Sequence, residues 1–183
     1  MLAAPLPLTS LSDDVVALNR SLDRTEGPIV LAGHAYAGVV IALARPERVK
    51  ALVYVTALAP DEGENVADVF YRLEPHPQAP KLAPDNNGLI WLPDEAFATA
   101  FAQHASAADQ ALLAAVQRPI SLNCITVSAG RPHWKDVPSW FLCGRRSDDR
   151  PRDAALHGGT HEGEDKGACR RSRAQHHCTK NRR

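Results

Sequence analysis

Pro28-Ile29-Val30-Leu31-Ala32-Gly33-His34-Ala35-Tyr36-Ala37-Gly38-Val39-Val40-Ile41-Ala42-Leu43-Ala44 is the stretch that decides the fold. It opens with a short apolar run, as a buried strand does, and closes with a second run that reads as a helix. Between the two lies a tight turn of small residues. Strand, small-residue turn and helix are the setting of the G-x-S-x-G elbow, in which a strained backbone lifts one side chain clear of a sheet. Small residues two positions to either side make room for that turn, and Gly33 and Ala37 supply them. The lifted position, where a serine hydroxyl would attack a carbonyl carbon, is Ala35. A methyl group has no proton to lose and no lone pair to attack with. The motif therefore predicts a fold while arguing against nucleophilic chemistry at its centre.

The sequence around the elbow extends the pattern. Upstream, Ser10 or Ser12 is placed to cap a helix, with Asp13 and Asp14 in its first turn, where the helix dipole favours acids. Leu11, Val15, Leu18 and Leu22 then recur at helical spacing. Downstream, Arg45-Pro46 ends the elbow helix, and Val49 to Thr56 is rich in β-branched residues and reads as a buried strand. Strand, helix and strand in that order predict a βαβ unit, hence a parallel sheet in an α/β fold. In such sheets the sites lie at the carboxyl ends of strands. Both the elbow and Ala57-Leu58-Ala59-Pro60-Asp61 fall there.

Residues 60–136 have another character and read as a small, mostly helical insertion. Asn86-Asn87-Gly88 predicts a turn, Leu89-Ile90-Trp91-Leu92 a short strand, and Pro93 to Gln103 and Ala107 to Gln117 two helices. Pro138 to Cys143 returns as a buried strand. Trp91, Phe97 and Phe101 are the aromatic candidates to line a ligand pocket, with core packing the plainer account of them. His34, beside the elbow, is either a ligand contact or a polar group at the sheet edge.

The whole chain of 183 residues is formally neutral, with 44% hydrophobic residues, a composition that suits one globular domain. The neutrality hides a break near residue 144. Residues 145–183 carry 11 basic and 6 acidic residues, leaving 10 basic and 15 acidic in the first 144. They hold one large aliphatic residue, Leu156, and no aromatic. Such a segment buries too little apolar surface to offset the entropy of ordering it, so a disordered basic tail is expected. Without aromatics or a fold to present its charges, the tail is not expected to bind a specific nucleic acid or a membrane. His157, His161, His176, His177, Cys169 and Cys178 fit no zinc-finger spacing beyond the single His157-x₃-His161 pair, so no metal is expected. Cys124 and Cys143, in apolar surroundings, build no disulfide framework with the tail pair. No apolar run approaches the ~20 residues of a membrane span, and Met1 to Leu11 lacks the basic start of a signal peptide. A cytoplasmic protein is expected.

These segments resemble the α/β-hydrolase superfamily, and within it the small bacterial esterase-like members related to plant methylesterases and hydroxynitrile lyases. The likeness rests on Leu6-Pro7-Leu8-Thr9-Ser10-Leu11-Ser12-Asp13-Asp14-Val15, Gly27-Pro28-Ile29-Val30-Leu31-Ala32-Gly33-His34, Leu52-Val53-Tyr54-Val55, Ala59-Pro60-Asp61-Glu62-Gly63-Glu64, Gln117-Arg118-Pro119-Ile120 and Pro138-Ser139-Trp140-Phe141-Leu142. It covers about residues 2–144. The resemblance implies a partial α/β-hydrolase fold: a mostly parallel sheet with helices on both faces, a small helical cap at 60–136, and the tail. It implies an ancestral hydrolysis of a small carboxylic ester by serine attack, with a histidine–aspartate pair and no metal or organic cofactor.

Three departures from the family pattern are expected to impair that chemistry. Ala35 stands at the nucleophile position. The likeness begins partway into the pattern, so the loop that supplies one oxyanion N–H has no counterpart, leaving the backbone N–H of Tyr36 as the other donor. Asp148 or Asp149 falls near the acid position, but no apolar strand follows to place a histidine. Two further readings stand beside an impaired esterase. One is a non-catalytic binder of a small ligand. The other is a nonfunctional product of truncation or of a reading-frame shift near residue 144.

Overall fold

The computed structural model of the chain describes residues 1–72, 74, 79–142 and, for the backbone alone, 168–170. Helix α1 (Leu11–Leu22) forms where the apolar stripe predicts it. Ser10 caps it from an extended backbone, its hydroxyl accepting the Asp13 N–H at 3.1 Å. Strand β1 (Ile29–Ala35) then runs into the elbow, and helix α2 (Ala37–Ala42) leaves it, ending before Arg45-Pro46. Strand β2 (Val49–Ala57) returns parallel to β1, with Leu31 opposite Leu52 and Gly33 opposite Tyr54. The βαβ unit expected from the sequence is thus the heart of the molecule.

Between β2 and the next strand of this sheet lie short elements. They are α3 (Val66–Phe70), β3 (Leu89–Ile90), α4 (Asp94–Ala96), α5 (Ala107–Val116), β4 (Ile120–Ser121) and α6 (Leu122–Ile125). β3 and β4 pair antiparallel in a two-stranded ribbon. The helix expected over 93–103 is not continuous. Pro93 stands just outside it, and after α4 the chain widens into a π-helical turn, Phe97–Phe101, closed by the Ala102 N–H on the Phe97 carbonyl at 2.8 Å.

Strand β5 (Ser139–Leu142) joins β2 in parallel, and β6 (Ala168–Arg170) joins β5 antiparallel, giving the order β1-β2-β5-β6. β6 corrects the expectation that no strand follows residue 144. Three residues need no apolar run of their own when they pair by backbone hydrogen bonds along an existing edge. The remainder of the expected tail, with Cys143, Asp148, Asp149, Cys178 and the histidines at 157, 161, 176 and 177, lies outside the described residues.

The core sits on one face of the sheet. Leu31, Leu52, Tyr54 and Phe141 meet Leu11, Leu18 and Leu22 of α1 and Val39 and Val40 of α2 in one buried cluster. Tyr54 and Phe141, opposite each other on neighbouring strands, stack with ring centroids 4.4 Å apart. On the other face of β1, Val30, Ala32 and His34 are exposed. No helix among the described residues is long and apolar enough to cross a membrane.

Candidate functional site

The elbow has the strained geometry its sequence calls for. Ala35 takes φ 49°, in the left-handed region that a non-glycine residue enters rarely. Its carbonyl accepts the Leu58 N–H at 3.0 Å, tying the turn to the chain just beyond β2. Glycine is required at two places around it. A Cβ on Gly33 would stand 2.7 Å from the Ala37 carbonyl oxygen, and one on Gly38 would overlap the Leu58 carbonyl oxygen. Both obstacles are backbone atoms, which have no rotamer to escape into. The helix can approach the strand this closely only with hydrogen at those positions.

What the elbow presents is a methyl group. Tyr36 follows at the start of α2, where the first backbone N–H groups have no partner inside the helix. This is the donor that the sequence assigns to an oxyanion. The Tyr36 side chain points away to a different task. Its hydroxyl donates to Asp14 Oδ2 at 2.7 Å. Asp14 is fully buried, and its other oxygen, Oδ1, accepts the Leu8 N–H at 2.7 Å. The thiol of Cys124, also fully buried, donates to Asp14 Oδ2 at 3.7 Å. One acid thus joins the N-terminal segment, α1, the elbow and α6. Burial, with the hydrogen bond to Asp14 behind it, pushes the Tyr36 phenol far above its usual range. Burial likewise raises the Cys124 thiol to about 11. Both groups are neutral donors at physiological pH.

This cluster went unnoticed in the sequence, where Asp14 reads as a first-turn acid. A signal was present. Asp14 lies three residues after Leu11 and four before Leu18, inside the apolar stripe rather than beside it. An acid there must be buried and must find donors.

The other candidates scatter. His34 is exposed on the open face of β1. Phe97 is buried and lines a cleft of about 460 Å³ between the π-helical turn and α5, whose far wall includes Ala107, Gln110 and Ala111. Phe101 packs edge-on against Phe97, ring centroids 5.4 Å apart, yet stays 55% exposed, and Trp91 is 44% exposed. Neither lines that cleft, and the cleft takes no residue from the elbow. Among the described residues no histidine is paired with a carboxylate, and no cluster of metal-ligating side chains occurs.

Residues 3–177 match the model of the alpha/beta hydrolase family, and the chain belongs to that family. The match runs past the composition break at residue 144. Comparison with curated protein sequences gives no match. Among solved structures the chain is similar to an extracellular alpha/beta-hydrolase from a Paenibacillus species, described as sharing structural and functional homology with tobacco salicylic acid binding protein 2. The identity is 19% and the TM-score 0.59, over 74% of this chain and 58% of that one. It is also similar to polyneuridine aldehyde esterase, at 19% identity and a TM-score of 0.53, over 68% of this chain and 56% of that one. A serine-to-alanine variant of the pyrethroid hydrolase PytH shows 18% identity and a TM-score of 0.50, over 66% of this chain and 52% of that one. At such identities the likeness is one of fold. The chain spans little more than half the length of these three structures.

Proposed function

We propose that this chain is an esterase-type α/β-hydrolase relative that holds a small carbonyl compound, such as a short aryl ester, at its elbow without hydrolysing it. The observation that carries the reading is Ala35 at φ 49°. The backbone keeps the strained conformation that serves to lift a nucleophile, and the side chain there is a methyl. Losing the nucleophile of a serine hydrolase is severe: in subtilisin it lowers kcat about 10⁶-fold. The route through an acyl-enzyme is closed to alanine, because no oxygen is present to form the ester link. Retention of the strained turn and of the Tyr36 N–H favours binding of a carbonyl oxygen over loss of all function. No metal or organic cofactor enters this reading. A cytoplasmic setting accompanies it, in keeping with the buried free thiol of Cys124.

The test compares the unaltered chain with Ala35→Ser on para-nitrophenyl acetate, together with calorimetric titration of phenyl acetate into the unaltered chain. Saturable binding of phenyl acetate and release of nitrophenolate at the buffer rate are expected from the unaltered chain. Ala35→Ser is expected to stay near that rate as well, since no histidine–carboxylate pair occurs among the described residues to activate the hydroxyl. A burst of nitrophenolate from the unaltered chain would sink the reading. A large gain in Ala35→Ser would mean that the rest of the catalytic machinery is in place.

A further inference from the structure

The cleft between the π-helical turn and α5 takes no residue from the elbow, and its own lining has a distinct chemistry. At about 460 Å³ it has room for a small organic molecule, since ligand pockets run from roughly 300 to 1,000 Å³. The space has a cause in the sequence. Apart from Asp94, Phe97 and Gln110, every lining residue is an alanine. Alanine side chains end at Cβ and leave open what leucines would fill. α5 buries none of its residues, so this helix serves as a wall rather than as part of the core. The facing wall includes the π-helical turn, a form that recurs at functional sites.

The hydrogen-bonding capacity of the lining is one-sided. The amide nitrogen of Gln110 donates to the carbonyls of Ala102 at 3.0 Å and Ala105 at 3.1 Å. That nitrogen carries two hydrogens, so Gln110 can serve a ligand only through its oxygen, an acceptor. Asp94 also only accepts, and it enters no ion pair among the described residues. The lining side chains thus have no donor to give an anion or a carbonyl oxygen. Charge points the same way. Residues 82–117, which hold every lining residue, contain Asp85, Asp94, Glu95 and Asp109 and no lysine or arginine. The negative field of such a segment holds however each carboxylate is turned. An aromatic residue in the lining suits a cation as well as an apolar body.

We propose that this cleft is a second binding site, for a primary ammonium ion carrying an aryl-alkyl body. The body would lie among Phe97 and the alanines, with the ammonium on the side of Asp94. The site does not depend on what the elbow holds. The test is calorimetry of the full chain with 2-phenylethylammonium, 2-phenylethanol and 3-phenylpropionate, whose bodies are alike and whose heads are cationic, neutral and anionic. The ammonium is expected to bind saturably, the alcohol about 2- to 5-fold more weakly, and the carboxylate more weakly again. Asp94→Asn is expected to weaken the ammonium by about 2- to 5-fold, the range of an exposed ion pair, and to leave the alcohol unchanged. Ala111, exposed on α5, can become leucine at little cost to the helix. Ala111→Leu fills the cleft and is expected to weaken ammonium and alcohol alike by roughly 10-fold, with Tm little changed. No saturable binding of the ammonium, equal affinity for the three compounds, or unchanged ammonium affinity in Asp94→Asn would overturn the proposal. Unchanged affinity in Ala111→Leu would also overturn it, by placing the ammonium elsewhere on the chain.

Discussion

Replacing Asp14 with alanine removes the acceptor that three donors share. Leu8 N–H and Tyr36 O–H each lose a 2.7 Å bond, and Cys124 loses a weaker one at 3.7 Å. A buried donor left unmade costs about 1–3 kcal/mol. Two strong donors set a range of ~2–6 kcal/mol by that rule, and half-burial of Leu8 and Tyr36 draws it down to about 3 kcal/mol, since water reaches part of the vacated site. That is a large share of the ~5–15 kcal/mol by which domains of this size are stable. Urea unfolding followed by tryptophan fluorescence measures it. With m near 2 kcal/mol/M the midpoint is expected to fall by about 1.5 M, and Tm by roughly 6–12 °C. Asp14→Asn, which keeps one acceptor oxygen but turns an amide N–H₂ toward the other donors, is expected to lose about half as much. Tyr36→Phe removes one donor, and its effect should be non-additive with Asp14→Ala, with a coupling of ~0.5 kcal/mol or more. The exposed neighbour Asp13 is the control. Asp14→Ala shifting the midpoint no further than Asp13→Ala would refute the reasoning, because the cluster would then be incidental to the fold.

Two further outcomes follow from the same geometry. Gly38→Ala forces a methyl against the Leu58 carbonyl oxygen and is expected to destabilise by about 3 kcal/mol or prevent folding, with Gly33→Ala milder; a Tm of Gly38→Ala equal to that of the unaltered chain would contradict the close approach. The thiol of Cys124, pushed up by burial to about 11, stays protonated in the folded chain over a range where the unfolded chain ionises it. Stability from this source is therefore complete below about pH 9 and lost as pH rises from 9 toward 11. A series of melts across that window should slope downward, and Cys124→Ala should reduce the slope between about pH 9 and 10, below the range where the raised Tyr36 phenol adds its own.

Much of the fold was legible because it rests on local rules. The stripe Leu11, Leu18, Leu22 and a serine cap place α1, with the structure choosing Ser10 over Ser12 as the cap and ending the helix at Leu22. The apolar runs either side of Gly33–Gly38 give β1, α2 and β2 in order, since a buried parallel strand and the helix that crosses it are both continuous in sequence. What escaped depends on contacts between distant segments. The bulge at Thr56, between the pairs His34–Val55 and Ala35–Ala57, arises because Ala57 must fit beneath Gly38, nineteen residues away in the chain, a constraint with no local signature. The π-helical turn replaces an α-helix over residues whose spacing, Phe97 to Phe101, serves either form equally well. β6 is three residues long and borrows its order from the edge of β5. At the site, the vacancy in chemistry at Ala35 could be read directly, whereas the union of Asp14, Tyr36 and Cys124 required segments 110 residues apart to be brought together.

Alanine and serine codons lie a single base apart, and the two side chains differ by one oxygen atom. Because Ala35 already occupies φ 49°, a serine arriving there by mutation would meet a backbone that needs no rearrangement to receive it. Most lost functions decay as neighbouring positions drift. Here Gly33 and Gly38 are held by packing as well, so folding adds to ligand binding in preserving the turn without turnover. The elbow is in that sense a heritable template, kept in working shape by the demands of folding and open to reoccupation in one mutational step.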